Sequence, residues 1–380
     1  MKKLMLLFSV VFVLPMFAAP TVNSVKVSSI EPIGVAIDYI VSGATDADVE
    51  LKSKVTLVVN GNTFVAKSLR GETNCKNGAH RVYWNMAEDG LDFESVNAIL
   101  TVEYAYPLYC VIDLSAGSAA DAYPIMYMFV SPNGGFNTTE YKTSKLVLKR
   151  VDAGTFTMGK LNYSENHSHY VTLTKPFYMG VYEVTQRQWE LVMGSNPCSS
   201  TSYGKGNAYP VHYVSYDMIR GASDGAEWPA TNTVDAISFL GKLRDRTKLD
   251  FDLPTEAQWE YTCRAGTKTE YSYGDSVDGA YMWYANNSEG SPHIVGTKLP
   301  NKWGFYDMHG NMWEWCLDGC YGGLTTDDVD PRGSSSGQTR IGRGGNWDGS
   351  ATRCTSYYRG SNYPTVSGNY TGFRISKTFH

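Results

Sequence analysis

The chain has 380 residues, a formal charge of −5, 37 Gly, 27 Tyr and 7 Cys. That length leaves room for two domains, and the weak negative charge gives no long-range attraction to nucleic acid or anionic lipid. The glycine and tyrosine content points to a turn-rich protein with a polar-aromatic surface and argues against a helical bundle.

The first 19 residues have the layout of a secretory signal: Lys2 and Lys3, an apolar run from Leu4 to Phe17, then Ala18-Ala19. Pro20 makes the cleavage point imperfect, and the run is shorter than the roughly 20 residues that a membrane span needs. No cysteine follows it to carry a lipid. The expectation is an exported chain, periplasmic or extracellular, in which cysteines pair. Cys75 and Cys110 are the natural pair. Cys198, Cys263, Cys316, Cys320 and Cys354 are an odd set whose pairing the sequence leaves open.

From Thr21 to Asp113 the chain reads as short extended runs: VKVSSI, GVAIDYIV, KVTLVVNG and NAILTVEYAY. Asn60-Gly61 is a hairpin turn. An immunoglobulin-like β-sandwich over 20–130 is expected, then a polar connector over 131–144 (SPNGGFNTTEYKTS) and a second domain over 145–380. The second domain opens with the strand-like KLVLKRVDAGTFTMG. Thr185 and Gln188 have capping-box spacing before a helix that stops at Gly194, and Thr255, Gln258 and Gly266 repeat the device. A third helix is expected from Thr233 to about Lys248, with Ile237, Leu240 and Leu243 on one face. Beyond Gly266, Gly- and Asn-rich segments offer little regular pattern, which marks functional loops.

Several motifs in this second half follow in a fixed order: FYMGVYEVTQRQWELVMG (177–194), YPVHYVSY (209–216), LPTEAQWEYTCRAGT (253–267), GFYDMHGNMWEW (304–315), RGGNW (343–347) and GFRIS (372–376). Together they resemble the formylglycine-generating enzyme family, also called the sulfatase-modifying-factor family. The resemblance implies an α+β domain, a variant of the C-type lectin fold with much irregular loop. It also implies a calcium site at Asp307, Gly310, Met312 and Glu314, two side chains and two carbonyls. Calcium wants roughly 6–8 oxygens, which carboxylates, carbonyls and water can supply. A second family calcium loop would fall near 286–293, where no acidic partner is obvious.

Catalytic members of the family hold copper(I) between two thiolates five residues apart, just after the RGG turn; soft sulfur suits that ion. Here the first position falls on Gly349 and only the second, Cys354, is a cysteine. Copper enters only if another thiol, from Cys316 or Cys320, completes the pair. Cys316 and Cys320 lack the further ligands of a zinc site. His167 and His169 read as solvated loop histidines, and the chain has no HxxxHxE motif.

The segment 346–371 has 18 of its 26 residues among Ser, Thr, Asn, Tyr and Gly, with one Val and no Leu or Ile. Rigid tyrosines among small polar residues are the vocabulary of paratopes. In the family this stretch lines the substrate groove, and it also resembles the variable segment of retroelement-diversified proteins. The expected contact set is Trp347, Tyr357, Tyr358, Arg359, Tyr363 and Tyr370. The leading reading is non-catalytic recognition of a peptide, protein or glycan. The alternatives are a formylglycine-generating oxidase acting through Cys354, a structural component of an envelope assembly, and a retroelement-diversified ligand binder.

Overall fold

The computed structural model describes residues 20–30, 34–45, 51–59, 61–91, 98–164, 166–200, 202–320, 328–334 and 338–379. The expected signal segment lies outside them. The chain divides into two compact units, one of residues up to 109 with 127–135, the other of residues 110–126 and 136–379.

The first unit holds β1 (Thr21–Ile30), β2 (Gly34–Ser42), β3 (Lys52–Val59), β4 (Asn62–Val65), β5 (Leu69–Gly71), β6 (Gly78–Trp84) and β7 (Ala98–Ala105). They form two antiparallel sheets, ordered β1-β2-β6-β5 and β4-β3-β7. Period-2 alternation sends Ile37, Tyr39 and Val41, Val55, Leu57 and Val59, and Val82 and Trp84 into one shared core. Val59 pairs with Asn62 across the expected two-residue hairpin. Gly61 takes φ +78° there, and Asn60 lies outside the described residues. β6 escaped the sequence reading, although His80, Val82 and Trp84 are buried in alternation with Arg81 and Tyr83.

The second unit contains most of β8 (Tyr109–Asp113), the first half of β9 (Ile125–Met128), α1 (Thr139–Thr143), β10 (Lys145–Val151), β11 (Gly154–Met158), β12 (His169–Leu173), β13 (Phe177–Gly180), α2 (Gln186–Met193), α3 (Tyr216–Arg220), α4 (Phe239–Thr247) and α5 (Glu256–Arg264). These are followed by β14 (Trp313–Cys320), β15 (Asp328–Val329), β16 (Thr339–Arg343), β17 (Gly360–Asn362), β18 (Thr371–Gly372) and β19 (Ser376–Thr378). Three sheets organise it, ordered β19-β13-β10-β8-β9, β11-β12-β15 and β17-β16-β14-β18. The result is mostly sheet with few, short helices.

Two boundaries differ from the sequence reading. Residues 110–126 belong to the second unit, because β8 takes its place beside β10. Much of the expected connector does too, since α1 falls inside it. Both capping boxes form as expected, at Thr185/Gln188 and Thr255/Gln258, with Gly194 left-handed at the end of α2. α5 stops one residue before Gly266, at a left-handed Ala265. The third helix is shorter than expected. Ser238 caps it by accepting from Gly241 N, so helix begins at Phe239 and Ile237 is left 80% exposed.

The cysteines also differ from expectation. Cys198, Cys263, Cys316, Cys320 and Cys354 form no disulfide. Cys75 packs in the core of the first unit, and Cys110 is buried in β8. Cys263, Cys316 and Cys320 pack with Trp259 and Met308, and Cys354 belongs to a separate cluster with Tyr271 and Met282.

α5 carries the most consequential interaction. Glu256, Glu260 and Arg264 follow at i, i+4 and i+8, so they share one helical face, and all three are buried. Arg264 binds Glu260 at 2.7 Å, Arg343 bridges Glu260 and Glu256, and Arg359 clasps Glu256 through two bonds of 2.7 and 2.8 Å. Burial alone would raise the Glu260 carboxyl, but Arg264 and Arg343 outweigh it and hold it below its usual range. Removing one partner of such a pair leaves a buried charge uncompensated, which costs about 3–5 kcal/mol. Glu260→Gln is therefore expected to lower unfolding free energy by that amount in chemical denaturation. A loss comparable to that of a surface carboxylate such as Glu103→Gln would contradict this.

Candidate functional site

Three neighbourhoods contain the residues singled out from sequence. In the first, β13 leads into Glu183 and the turn 307–312 leads into β14. Left-handed backbone at Asp307, Gly310 and Asn311 (φ 56°, 79° and 59°) folds that turn back on itself. A Cβ at Gly310 would stand 2.0 Å from the Trp283 carbonyl oxygen, so glycine is required there.

Glu183, Asp307 and Glu314 converge on one guanidinium. Arg374 donates to both Glu314 oxygens at 2.6 Å, and Trp259 Nε1 donates to one of them at 2.8 Å. Glu183 accepts from Asn311 Nδ2 at 2.6 Å and Met312 N at 3.1 Å. Asp307 accepts from Gly296 N at 2.7 Å through Oδ2, while its buried Oδ1 has no partner. Buried Lys142 hydrogen-bonds the Gly296 carbonyl at 3.4 Å. Three carboxylates thus face two cations. Burial, with Glu314 adding its charge, pushes the Asp307 carboxyl up to about 6 against the pull of Gly296 N, Arg374 and Lys142. Burial, with Asp307 and Glu314 beside it, also raises Glu183.

The orphaned Oδ1 of Asp307 and the excess negative charge fit a cation. Glu314 fits less simply than the resemblance implies, because Arg374 already occupies both of its oxygens. Among the described residues no three His, Cys, Asp or Glu side chains form a metal-binding group. An ion held here would therefore depend on backbone carbonyls such as those of Gly310 and Met312.

In the second neighbourhood, Cys354 is fully buried and burial pushes its thiol up to about 12, the reverse of a reactive thiolate. Its Sγ donates weakly to the Ser350 carbonyl at 3.7 Å. A Cβ at Gly349 would stand 2.6 Å from Asn346 Oδ1, so a second cysteine there requires Asn346 to move. Cys316 packs in another core cluster and does not supply the missing thiol. His169 is buried and its Nδ1 donates to the His167 carbonyl at 2.6 Å, so these are not two solvated histidines.

The third neighbourhood is the tyrosine-rich segment, whose six expected contact residues separate into different roles. Trp347 is buried, and its Nε1 donates to the Asn369 carbonyl at 3.0 Å. Tyr370 stacks on it with centroids 5.3 Å apart, and Tyr203 lies 5.5 Å away on a 32° tilt. Tyr363 and Tyr370 are exposed, at 58% and 40%, as is Tyr203 at 37%. Arg359 is corrected from contact residue to core, since its guanidinium is spent on Glu256. Tyr357 and Tyr358 are half-buried and pack against Tyr163. Sequence reasoning missed Tyr203, which lies 144 positions before Trp347 in a Ser- and Gly-rich loop with no pattern to mark it.

Comparisons with known proteins cover this part of the chain. The family model of the sulfatase-modifying factor enzyme 1-like domain matches residues 136–379. Chaperone protein LppX of Paenibacillus barcinonensis is 29% identical over 264 residues, 60% of this chain and 88% of that protein. The formylglycine-generating enzyme of Bos taurus is 24% identical over 273 residues, 60% of this chain and 73% of that protein. Among solved structures, Treponema denticola variable protein 1 aligns with a TM-score of 0.52 at 28% identity, covering 61% of this chain and 95% of that one. PvdO from Pseudomonas aeruginosa aligns with the same TM-score at 23% identity, a likeness of fold.

The Asp307 environment predicts a pH dependence. A carboxyl raised from 3.8 to about 6 holds its proton more tightly when folded, so its contribution is complete below about pH 4 and is lost as pH rises to about 6. With chelator present, Asp307→Asn is expected to gain roughly 1–3 kcal/mol on the parent protein between pH 4 and pH 6.5. Denaturant midpoints for the two that move in parallel over that range would contradict the assignment.

Proposed function

The chain belongs to the sulfatase-modifying factor enzyme 1-like family, and within it we propose a non-catalytic binding protein, exported, that recognises a peptide, protein or glycan through the surface around Trp347. The observation that carries this is the pairing of exposed Tyr203 and Tyr370 with a buried tryptophan. Exposed rings fixed by packing lose little entropy on binding, and Tyr and Trp dominate binding hot spots for that reason. Two relatives favour the reading by what they are called: one a chaperone, the other a variable protein. The buried, high-pKa Cys354 without a second thiolate speaks against the oxidase alternative.

The remaining parts of the proposal rest on separate observations. The sheet order β1-β2-β6-β5, which parallels the A-B-E-D order of one immunoglobulin sheet, supports an immunoglobulin-type spacer. Short helices and long irregular segments support the C-type lectin-like reading of the second unit. No helix among the described residues is long and apolar enough to cross a membrane. Calcium at Asp307 is supported by its orphaned oxygen, and the ion would offset the surplus carboxylate charge there.

Two outcomes are expected. Selection from a displayed peptide library and a glycan panel should yield binders that Tyr363→Ala with Tyr370→Ala weakens at least tenfold, about 1.4 kcal/mol, with melting temperature nearly unchanged. A large loss of melting temperature would show that these rings hold the fold instead. Calcium at about 100 times its dissociation constant should add roughly 2.7 kcal/mol of stability, an increment that Asp307→Ala abolishes. Identical melting in calcium and in chelator would remove the ion from the account.

A further inference from the structure

We propose that Trp313, Tyr358 and Tyr163 form a second recognition site, a platform for a pyranose ring of a neutral oligosaccharide, which stands whether or not the surface around Trp347 binds anything. Trp313 is half-buried at the start of β14. Its indole lies across two positions of the β17-β16-β14 sheet that have no side chain. A Cβ at Gly360 would stand 3.2 Å from its Cη2 and Cζ3, and one at Gly342 3.7 Å from its Cε3. The glycines let the six-membered edge of the indole lie against the sheet, and because Trp313 is only partly buried, part of the ring remains accessible. Tyr358 stands 5.9 Å from it on a 43° tilt, Tyr163 lies 6.2 Å from Tyr358, and Tyr357 meets Tyr163 edge-on at 5.2 Å.

The border of this cluster is polar and already ordered. Tyr357 Oη donates to Glu270 Oε2 at 2.7 Å and accepts from Lys160 Nζ at 3.1 Å, while Lys160 binds the other Glu270 oxygen at 2.6 Å. Lys160 and Glu270 remain 43% and 27% exposed. The carboxylate keeps lone pairs, and the ammonium keeps a donor, for a ligand's hydroxyls.

This combination selects a class of ligand. One face of a pyranose presents C–H bonds of partial positive charge, which suit the negative face of an aromatic ring. Its hydroxyls lie in the ring plane, where an acceptor and a donor at the platform's edge can reach them. The carboxylate and ammonium neutralise each other, so nothing there selects a charged sugar. A proline-rich peptide would use the same rings but would leave the Glu270–Lys160 pair without hydroxyl partners.

The test uses the full chain against cello-, xylo-, manno- and chitohexaose, with a polyproline peptide as control, read by tryptophan fluorescence and saturation-transfer NMR. At least one hexaose should saturate below about 10 mM, and Tyr358→Ala and Tyr163→Ala should each weaken it at least tenfold, while Ile237→Ala, at a position 80% exposed, leaves it unchanged. Tyr163 sits in the 161–164 turn, so its variant keeps the test valid if Tyr358→Ala fails to fold. The proposal is overturned if no hexaose saturates, if binding survives a folded variant, or if the polyproline peptide binds in their place.

Discussion

One carboxylate, that of Glu260, ties the second unit together. It takes charge from Arg264 on its own helix and from Arg343 at the end of β16. It also accepts from Gly159 N at 2.7 Å, at the end of β11, and from Asn166 Nδ2 at 2.9 Å. Arg343 passes the connection on by donating to the carbonyls of Ser356 and Tyr358. The segment that follows the RGG turn has almost no aliphatic side chains with which to build a core of its own. Its path is set by buried arginines instead: Arg343 at one end, Arg359 on Glu256 at the other. Buried pairs are weak evidence of net stability, because desolvation offsets their attraction, but they discriminate strongly against alternatives that leave a charge unpaired. Here they fix the route of a polar loop that hydrophobic packing cannot fix.

That constraint frees the loop's aromatic residues for other uses. Cys354 is sunk among Tyr271 and Met282, where a thiolate is disfavoured. Trp347 is held by the Asn369 carbonyl and by the rings of Tyr203 and Tyr370. What reaches the surface is tyrosine on a rigid base, which suits recognition more than redox chemistry. The buried charge site around Arg374 serves the same end from below. It anchors the 307–314 turn to β13 and to the GFRIS segment between β18 and β19, and so positions β14, which carries Trp313.

Much of the second unit was legible because its signals are local. A capping box spans four residues, and a left-handed glycine ends a helix wherever it stands, so α2 and α5 were found nearly to the residue. α4 was overextended because Thr233 to Ile237 look helical in composition, while Ser238 decides the start by accepting Gly241 N. The site was harder to read because its determinants are far apart in sequence. Glu256, Glu260 and Arg264 at i, i+4 and i+8 are indistinguishable from a solvated charged face until Arg343 and Arg359 are placed against them. For the same reason the sequence pattern presents Arg359 as a contact residue and gives no sign of Tyr203. β8 shows the limit for domain boundaries: its sequence is as strand-like as β7, and only pairing with β10 assigns it to the second unit.

The proposed function has this member of the family bind a ligand without catalysing cysteine oxidation. The measurement that addresses it most directly is a copper(I) titration of the purified chain, coupled to a turnover assay on a peptide carrying a sulfatase-type cysteine. The account predicts weak copper binding and no aldehyde, since one buried thiol at position 354 cannot supply two thiolates. Stoichiometric copper binding with steady formylglycine formation would contradict it.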